Sequence, residues 1–388
     1  MQTTRPTRAN QGNTNGQWPG KTYFLILFVT IALIIALTLS LALVLFIDDG
    51  DSKGPNDDDI PNGDNTPIVR VGQKTGMRLP SITVGGSFLS SSAAGVRTIS
   101  GISCEAAILV DVDSNVSVAE KNADTVVHPA SLSKVMTLLV ACENAADPNA
   151  LLTVKQDMLD RRTELGGSGQ LVDNASVLDG NDDSLVISIV GMSVTLEDAL
   201  YLINYKSDTV ACLLVAEYIA GSESAFVSMM NAKARELGLT STTFVNATGL
   251  TEKSGQYNRT TAREMAAIMA CALNNEVART VISATDKYKA DVYENGRKTE
   301  YYIPFFADWY NKEARLNGKT SAGTVTIRGG KTGYEDIPTS CFVTYGTSSN
   351  GKTYVCVAIG KLIGSDGKNV NNSTNTADTR TIYKNYAS

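Results

Sequence analysis

Residues 128–137 read HPASLSKVMT and contain the only histidine of the 388-residue chain. Ser131 lies three residues after His128 and three residues before Lys134. Residues three apart share one face of a helix, so the spacing alone allows either side chain to deprotonate the serine. Pro129 distinguishes them, because proline favours the first helical position and pushes the residue before it out of the α region. The stretch therefore predicts a helix that includes Ser131 and Lys134 and excludes His128.

The position of Ser131 in the first turn of this helix suggests a nucleophile. Unpaired backbone N–H groups and the helix dipole favour negative charge at that end. The residues after Lys134 are apolar, and burial of that run lowers the pKa of a lysine and populates the neutral amine. Ser131 is thus a candidate nucleophile with Lys134 as its base, whereas His128 is predicted to be a structural or surface residue. Because a Ser-x-x-Lys pattern often arises by chance, the assignment depends on further motifs.

The composition argues against several classes of function. The formal net charge is −6 and no basic stripe follows the chain, so we predict no nucleic-acid partner. A single histidine argues against a histidine-based zinc site, and the six cysteines contain no C-x-x-C pair. We predict buried core thiols rather than disulfides, with neither a metal nor a cofactor.

An uncharged apolar segment at residues 23–47 is long enough to cross a membrane. Its 25 residues span about 37 Å as a helix, against a hydrocarbon core of about 30 Å. Basic residues precede it and aspartates follow it, which predicts a cytoplasmic N-terminus. We predict a cytoplasmic tail at 1–22, one transmembrane helix, and an extracellular catalytic domain anchored to the cell membrane. A signal peptide cut near Ala42 is the alternative, and it leaves the same orientation.

The remaining chain divides into a linker and one folded domain. Residues 48–100 are rich in Asp, Asn, Gly and Ser and are predicted to form an extracellular linker or stalk. Residues 101–388 are predicted to be the catalytic domain, with a hairpin near each end, the second around an Asn-Gly turn. Helical patterns occur at 130–146, 199–222, 224–239 and 261–273, with a last helix at 376–388. This arrangement predicts an α+β fold whose sheet is completed by both ends of the domain.

A second motif gives the Ser-x-x-Lys pattern its context. Lys331, Thr332 and Gly333 form K-T-G in RGGKTGYEDIPTSCFVTYG, beside the second predicted hairpin. With these motifs and the connecting segments LGLTSTTFVNATGL and TTAREMA in order, the chain resembles the serine penicillin-binding protein and β-lactamase superfamily over residues 104–361. Within it the chain is most similar to the low-molecular-mass D-alanyl-D-alanine carboxypeptidases. The resemblance implies a DD-peptidase-like antiparallel sheet flanked by helices, with an all-helical lobe.

The remaining motif of that family, Ser-x-Asn, is altered in this chain. The matching place reads Ser207-Asp208-Thr209. An asparagine amide can donate to a substrate carbonyl and accept from the catalytic lysine at the same time, and a threonine hydroxyl is shorter and branched. The departure leaves open reduced activity, an altered substrate choice, a relocated polar partner, or a catalytically weakened wall-binding homologue.

The resemblance also implies a reaction and a set of roles. The substrate is a peptidoglycan stem peptide ending in D-Ala-D-Ala, and β-lactam antibiotics are covalent inhibitors. The implied catalytic residues are Ser131 as nucleophile, Lys134 as base, and Ser207 as the group that protonates the leaving D-alanine. The implied substrate-binding residues are Lys331, Thr332, Gly333, Tyr334 and Thr209, with the backbone N–H groups of Ser131 and Tyr334 holding the oxyanion.

A β-lactamase-type hydrolase is an alternative within the same superfamily. That activity requires a glutamate in an E-x-x-L-N context between the second and third motifs. Two Leu-Asn pairs occur there. Leu273-Asn274 has Ala270 where the glutamate would stand, whereas Leu316-Asn317 follows Glu313 at the required spacing. Because the chain is most similar to the carboxypeptidases, we expect penicillin to act as an inhibitor and not as a substrate.

Overall fold

A computed structural model describes residues 95–165, 190–284, 288–303, 321–335, 339–360 and 373–387. The predicted cytoplasmic tail, the transmembrane helix and most of the predicted linker lie outside these residues. Within them, no single helix is both long and apolar enough to cross a membrane. One sharply bent pair, Thr209–Ala220 with Glu223–Glu236, meets the criterion by length and composition alone.

The described chain contains strands at both ends and helices between them. The strands are β1 (Arg97–Thr98), β2 (Ala106–Asp111), β3 (Val116–Lys121), β4 (Leu151–Thr153), β5 (Ser193–Thr195), β6 (Tyr288–Glu294), β7 (Arg297–Ile303), β8 (Ser321–Ala322), β9 (Val325–Glu335), β10 (Thr339–Ser348) and β11 (Thr353–Gly360). The α-helices are α1 (Lys134–Asn144), α2 (Gln156–Glu164), α3 (Leu196–Tyr205), α4 (Thr209–Ala220), α5 (Glu223–Glu236), α6 (Ala262–Asn274), α7 (Glu276–Ser283) and α8 (Ser373–Tyr386). A 3₁₀ turn, Ala130–Ser133, leads directly into α1.

A seven-stranded sheet forms the body of the domain, in the order β1-β3-β2-β11-β10-β9-β8. Both predicted hairpins are confirmed as antiparallel pairs, β2 with β3 and β10 with β11. The central pair is β2 with β11, which joins the two ends of the domain as the α+β prediction requires. Both strands are buried along their full length because α6 packs on them, and α8 does the same. Their continuous apolar sequences reflect this double cover.

Helices α3, α4 and α5 belong to the lobe that was predicted to be all-helical, called here the second lobe. The ends of these helices follow their local sequence. Thr195 and Ser222 lie at the N-caps of α3 and α5, where each side-chain oxygen accepts the backbone N–H three residues on. Asp208 caps α4 in the same way through the Ala211 N–H. Gly221 ends α4 with a left-handed φ of 78°, a conformation that glycine adopts without steric cost. These signals fix where each helix begins and ends.

The lobe predicted to be all-helical also contains a small sheet, and this corrects the prediction. Strands β4, β5, β6 and β7 pair antiparallel in that order, and the sheet packs against α3 and α4. Two of these strands have only three residues, too few for an alternating pattern to be recognised. The β6–β7 hairpin turns at Asn295-Gly296, with φ values of 50° and 76°, the dipeptide typical of a tight hairpin turn.

The cysteines agree with the prediction of core thiols. All six are free, and four of them are fully buried. Burial raises the pKa of Cys142 and of Cys212 to about 12, so both thiols are neutral near pH 7.

Helix α8 covers the sheet, which confirms the predicted last helix.

Candidate active site

Ser131 is the second residue of the 3₁₀ turn that packs against β9 and β10. Residues 128–133, called here the nucleophile turn, place its side chain beside the start of α1. The Nζ of Lys134 donates a hydrogen bond of 3.1 Å to Oγ of Ser131. As predicted, Pro129 precedes the helical residues and His128 lies outside them. The two residues selected by their spacing are therefore in direct contact.

Lys134 is buried, with only 1% of its surface exposed. Burial lowers the pKa of its ammonium group, and the negative charges of nearby Asp208 and Glu335 offset part of this shift. The neutral Cys212 thiol is also close but contributes little charge near pH 7. A lysine with a lowered pKa has a larger neutral fraction, which is the form that can accept a proton from Ser131.

Lys134 has a second partner that the sequence did not reveal. Its Nζ donates to the backbone carbonyl of Thr248. That carbonyl is held in place by Asn246, a fully buried residue whose Oδ1 accepts the Thr248 N–H at 3.1 Å and the Gly249 N–H at 2.8 Å. The Asn-x-Thr-Gly sequence at 246–249 is typical of a turn stabilised by a side chain. Nothing in it indicates that the Thr248 carbonyl accepts a hydrogen bond from Lys134.

Lys331 occupies strand β9 and reaches across to the second lobe. Its buried Nζ donates to Oγ of Ser207 at 3.1 Å and to the Thr332 carbonyl at 2.9 Å. Ser207 lies between α3 and α4 with a left-handed φ of 54°, and Asp208 begins the next helix. Burial and the charge of Lys134 together place the pKa of Lys331 well below that of an ordinary lysine. Since like charges repel each other equally, protonation of either lysine disfavours protonation of the other.

Thr209 does not take over the contact that an asparagine would make. It is the first residue of α4 and is partly exposed. Among the hydrogen bonds of the described residues, none joins its side chain to Lys134 or Lys331. The Thr248 carbonyl already accepts from Lys134, so the acceptor half of the asparagine role is filled from another part of the chain.

Residues 332–334, just before the last residue of β9, alternate in exposure. Gly333 is buried and Thr332 is partly buried, while Tyr334 is 48% exposed. A Cβ atom at Gly333 would lie 3.0 Å from the Pro129 carbonyl oxygen and 3.2 Å from the Ser131 nitrogen. Such contacts are tighter than ordinary packing, so glycine lets the strand approach the nucleophile turn closely. Gly333 therefore shapes the site through backbone contact with the turn.

His128 is buried rather than exposed, with 7% of its surface accessible. Its Nδ1 accepts the Ala130 N–H at 2.9 Å, and its Nε2 lies 3.2 Å from Oε2 of Glu335. The ring stacks on Tyr257 with centroids 4.7 Å apart. Of the two alternatives for this residue, the structural one agrees with these contacts.

The site thus joins a serine–lysine pair to a second serine–lysine pair at a sheet edge. A sequence profile of the D-alanyl-D-alanine carboxypeptidases, peptidase family S11, matches residues 92–362. The chain belongs to the D-alanyl-D-alanine carboxypeptidase family. This agrees with the resemblance drawn from the Ser-x-x-Lys and K-T-G motifs.

Curated members of the D-alanyl-D-alanine carboxypeptidase family match part of the chain. The carboxypeptidase DacC of Escherichia coli is 34% identical over 181 residues, which cover 46% of this chain and 42% of that protein. The carboxypeptidase DacF of Bacillus subtilis is 32% identical over 154 residues, covering 40% and 35%. The matched part is therefore less than half the length of either relative.

Solved structures share the carboxypeptidase-family fold. A variant of a Streptomyces DD-transpeptidase is 21% identical with a TM-score of 0.57, covering 73% of this chain and 97% of that one. The D-alanyl-D-alanine carboxypeptidase of Mycobacterium tuberculosis is 22% identical with a TM-score of 0.54, covering 75% and 94%. At these identities the likeness concerns the fold, a mixed arrangement of sheet and helices.

Proposed function

We propose that this chain is a membrane-anchored serine D-Ala-D-Ala carboxypeptidase that removes the terminal D-alanine of peptidoglycan stem peptides. The observation that carries the proposal is the 3.1 Å hydrogen bond between Nζ of Lys134 and Oγ of Ser131 in a site where burial lowers the pKa of that lysine. Membership of the D-alanyl-D-alanine carboxypeptidase family supports the choice of substrate.

Acylation begins when Oγ of Ser131 attacks the carbonyl carbon of the penultimate D-alanine. Neutral Lys134 takes the hydroxyl proton as the C–O bond forms. The oxyanion is held by the backbone N–H groups of Ser131 and Tyr334, and each such donor contributes about 3 kcal/mol in comparable enzymes. Collapse breaks the C–N bond, and the leaving D-alanine amine receives a proton through Ser207. Water then attacks the acyl-enzyme and regenerates Ser131.

The lysine pair provides a way to link substrate binding to activation. In the proposal Lys331 and Thr332 meet the terminal carboxylate of the substrate. A carboxylate beside Lys331 favours the charged form of that lysine, and repulsion then favours the neutral form of Lys134. Binding of the anionic terminus would thus increase the fraction of Lys134 that is ready to act as the base.

The match to the carboxypeptidase family favours a carboxypeptidase over the β-lactamase alternative. Leu273-Asn274 ends helix α6, and Ala270, at the position of the required glutamate, is buried in that helix. The other Leu-Asn pair, Leu316-Asn317, follows Glu313 at the required spacing but lies outside the described residues. We propose that β-lactams acylate Ser131 and that the adduct hydrolyses slowly, which makes them covalent inhibitors.

The location of the enzyme is also a proposal. The uncharged segment at residues 23–47, with basic residues before it and aspartates after it, supports a single-pass anchor in the cell membrane with the catalytic domain outside. Protease added to intact cells should then remove the catalytic domain but spare an N-terminal tag.

The principal test is covalent labelling of the full-length protein with a fluorescent penicillin. We expect an adduct on Ser131, identified by peptide mass, and release of D-alanine from a pentapeptide ending in D-Ala-D-Ala. Ser131→Ala should abolish both. An absence of adduct in the folded wild-type protein would refute the enzyme proposal, and equal D-alanine release by Ser131→Ala would refute the nucleophile assignment.

A non-catalytic wall-binding protein is a second candidate because Thr209 stands in place of the motif asparagine. The two candidates differ in one measurement. Binding of the pentapeptide by a wild-type protein that is neither acylated nor active would favour the binding protein.

A further inference from the structure

Glu335 connects three segments of the site. It ends strand β9, two residues after Gly333. Its Oε1 accepts the Thr251 N–H at 2.7 Å, and its Oε2 accepts the Thr251 hydroxyl. The same Oε2 lies 3.2 Å from Nε2 of His128 in the nucleophile turn. The carboxylate therefore ties the K-T-G strand, the turn before Ser131 and the 246–251 loop to one point.

The buried contacts of Glu335 favour the negatively charged form of its carboxyl group. Burial raises the pKa of its carboxyl, but hydrogen bonds from His128 and Thr251 lower it by more, so the net pKa lies below the ordinary value for glutamate. The side chains of His128 and Glu335 are 5% and 10% exposed. A charge-assisted contact with so little water around it holds its geometry better than a surface pair.

The hydrogen bonds of His128 define which ring nitrogen carries the proton. Nδ1 accepts the Ala130 N–H at 2.9 Å, so this nitrogen carries a lone pair and the proton lies on Nε2. Nε2 then donates toward Glu335 Oε2 and Thr251 Oγ1, at 3.2 and 3.1 Å. The imidazole thus links Glu335, at the end of β9, to the backbone N–H of Ala130, the residue immediately before the nucleophile.

Ala130 is the residue whose backbone this contact holds. Its φ is 47°, a left-handed value that costs a non-glycine residue roughly 1–3 kcal/mol and persists only where its surroundings impose it. The conformation of Ala130 sets the direction of the Ser131 N–H, one of the two proposed oxyanion donors. The other donor, Tyr334, is adjacent to Glu335 in β9.

We propose that His128 and Glu335 form a positioning pair that keeps the Ser131 and Tyr334 donors in register during acylation. The inference rests on the proposed acyl transfer at Ser131. His128 touches neither the reacting atoms nor the catalytic lysine in the described contacts, so it acts through Ala130. The only histidine of the chain, set aside as a base, thereby has a role in the reaction.

Two substitutions separate the two contacts of the imidazole. The Oδ1 of His128→Asn can still accept the Ala130 N–H but cannot reach Glu335. The amide of His128→Gln can reach Glu335 but leaves the Ala130 N–H without its acceptor. Glu335→Gln keeps the shape of the carboxylate and removes its charge.

The experiment measures acylation of the full-length protein by a chromogenic penicillin, with the rate of the covalent step resolved from initial binding. We expect each single variant to lower the rate of the covalent step about tenfold while binding changes little. The double variant His128→Asn with Glu335→Gln should also lose about tenfold and not about a hundredfold, because both changes break the same link. Thermal unfolding of each variant reports the folded fraction.

Glu120→Gln is the matched control. Glu120 bonds Arg263 at 2.6 Å, and its side chain is 15% exposed, close to the burial of Glu335. It belongs to β3, and none of its described hydrogen bonds involves the nucleophile turn. This control should lower the melting temperature and leave the covalent step unchanged.

The outcomes separate this inference from the proposed function. A folded wild-type protein that forms no adduct overturns both. If the wild type is acylated, single variants that react at the wild-type rate overturn the pair alone. Losses that multiply in the double variant, or a covalent step that slows equally in Glu120→Gln, also overturn it and indicate a merely structural role.

Discussion

A Cβ atom at Gly249 would lie 2.1 Å from the carbonyl oxygen of Ala130. Gly249 has a φ of 82° and belongs to the loop whose Thr248 carbonyl accepts from Lys134. Gly333 also approaches the same turn, from strand β9. Two backbone segments thus approach the nucleophile turn so closely that neither has room for a side chain at its glycine.

Gly249→Ala should therefore slow acylation by more than the strained φ of alanine would cause alone. We expect acylation by labelled penicillin to fall at least about tenfold, because the clash must displace either the nucleophile turn or the Thr248 carbonyl. Gly255→Ala is the control, since Gly255 has nearly the same φ, 84°, and no atom within 4 Å of the added Cβ. Equal losses in the two variants would show that the close approach is unimportant.

The rate of acylation should rise with pH on a limb governed by the lysine pair. Burial lowers the pKa of Lys134 from its ordinary value of 10.5, so the neutral base becomes populated below that pH and the rate increases as protons leave. Penicillin acylation measured across pH should therefore reach half its maximum below pH 10.5. Lys134→Arg, which keeps its charge at every accessible pH, should lose the limb together with the activity. A midpoint at or above 10.5 would contradict the role of burial.

Thr209→Asn should change acylation by less than about tenfold. The acceptor that Lys134 requires is already supplied by the Thr248 carbonyl, and one added neutral hydrogen bond contributes only about 1 kcal/mol. The measurement is the acylation rate of the variant relative to wild type, with Thr209→Ala for comparison. A much larger gain would mean that threonine limits the enzyme and would revive the weakened-homologue interpretation.

Asn246→Ala should slow acylation as well as destabilise the fold. Its Oδ1 accepts from Thr248 and Gly249, and its Nδ2 donates to Leu250 and Glu252 at 2.8 Å. Leaving these buried groups without partners costs about 1–3 kcal/mol of unfolding free energy for each group.

The control for this variant is Asn231→Ala. Asn231 lies in α5 and bridges to both backbone groups of Phe244 at 2.9 Å. Its loss should lower the unfolding free energy, measured in urea, without slowing acylation of the folded protein. If acylation slows in both variants, and only in proportion to the unfolding free energy that each has lost, Asn246 has no positioning role.

The sequence predicted the part of the site that depends on local geometry. The spacing of Ser131 and Lys134, together with Pro129, predicted both the contact and the exclusion of His128 from the helix. K-T-G was recognised by its position beside the second predicted hairpin. The second sheet was missed because β4 and β5 have three residues each, although Asn295-Gly296 was a usable hairpin signal.

The contacts that were missed depend on long-range backbone geometry. Any residue at position 248 has a carbonyl, so its identity cannot reveal that it accepts from Lys134. The pairing of Glu335 with His128 joins residues 207 positions apart, and no periodicity relates them. Such contacts become visible only when the strand and the turn are placed together.

The pairing of β2 with β11 has a consequence for the order in which the molecule can form. Residues 106–111 find their partners only at residues 354–359, with the whole second lobe between them in the chain. The lobe helices can form from neighbouring sequence, but pairings of this separation are slow to close. The K-T-G strand reaches its place in the sheet only beside β10. During synthesis Ser131 therefore emerges long before Lys331, and the site can become reactive only as one of the last events of folding.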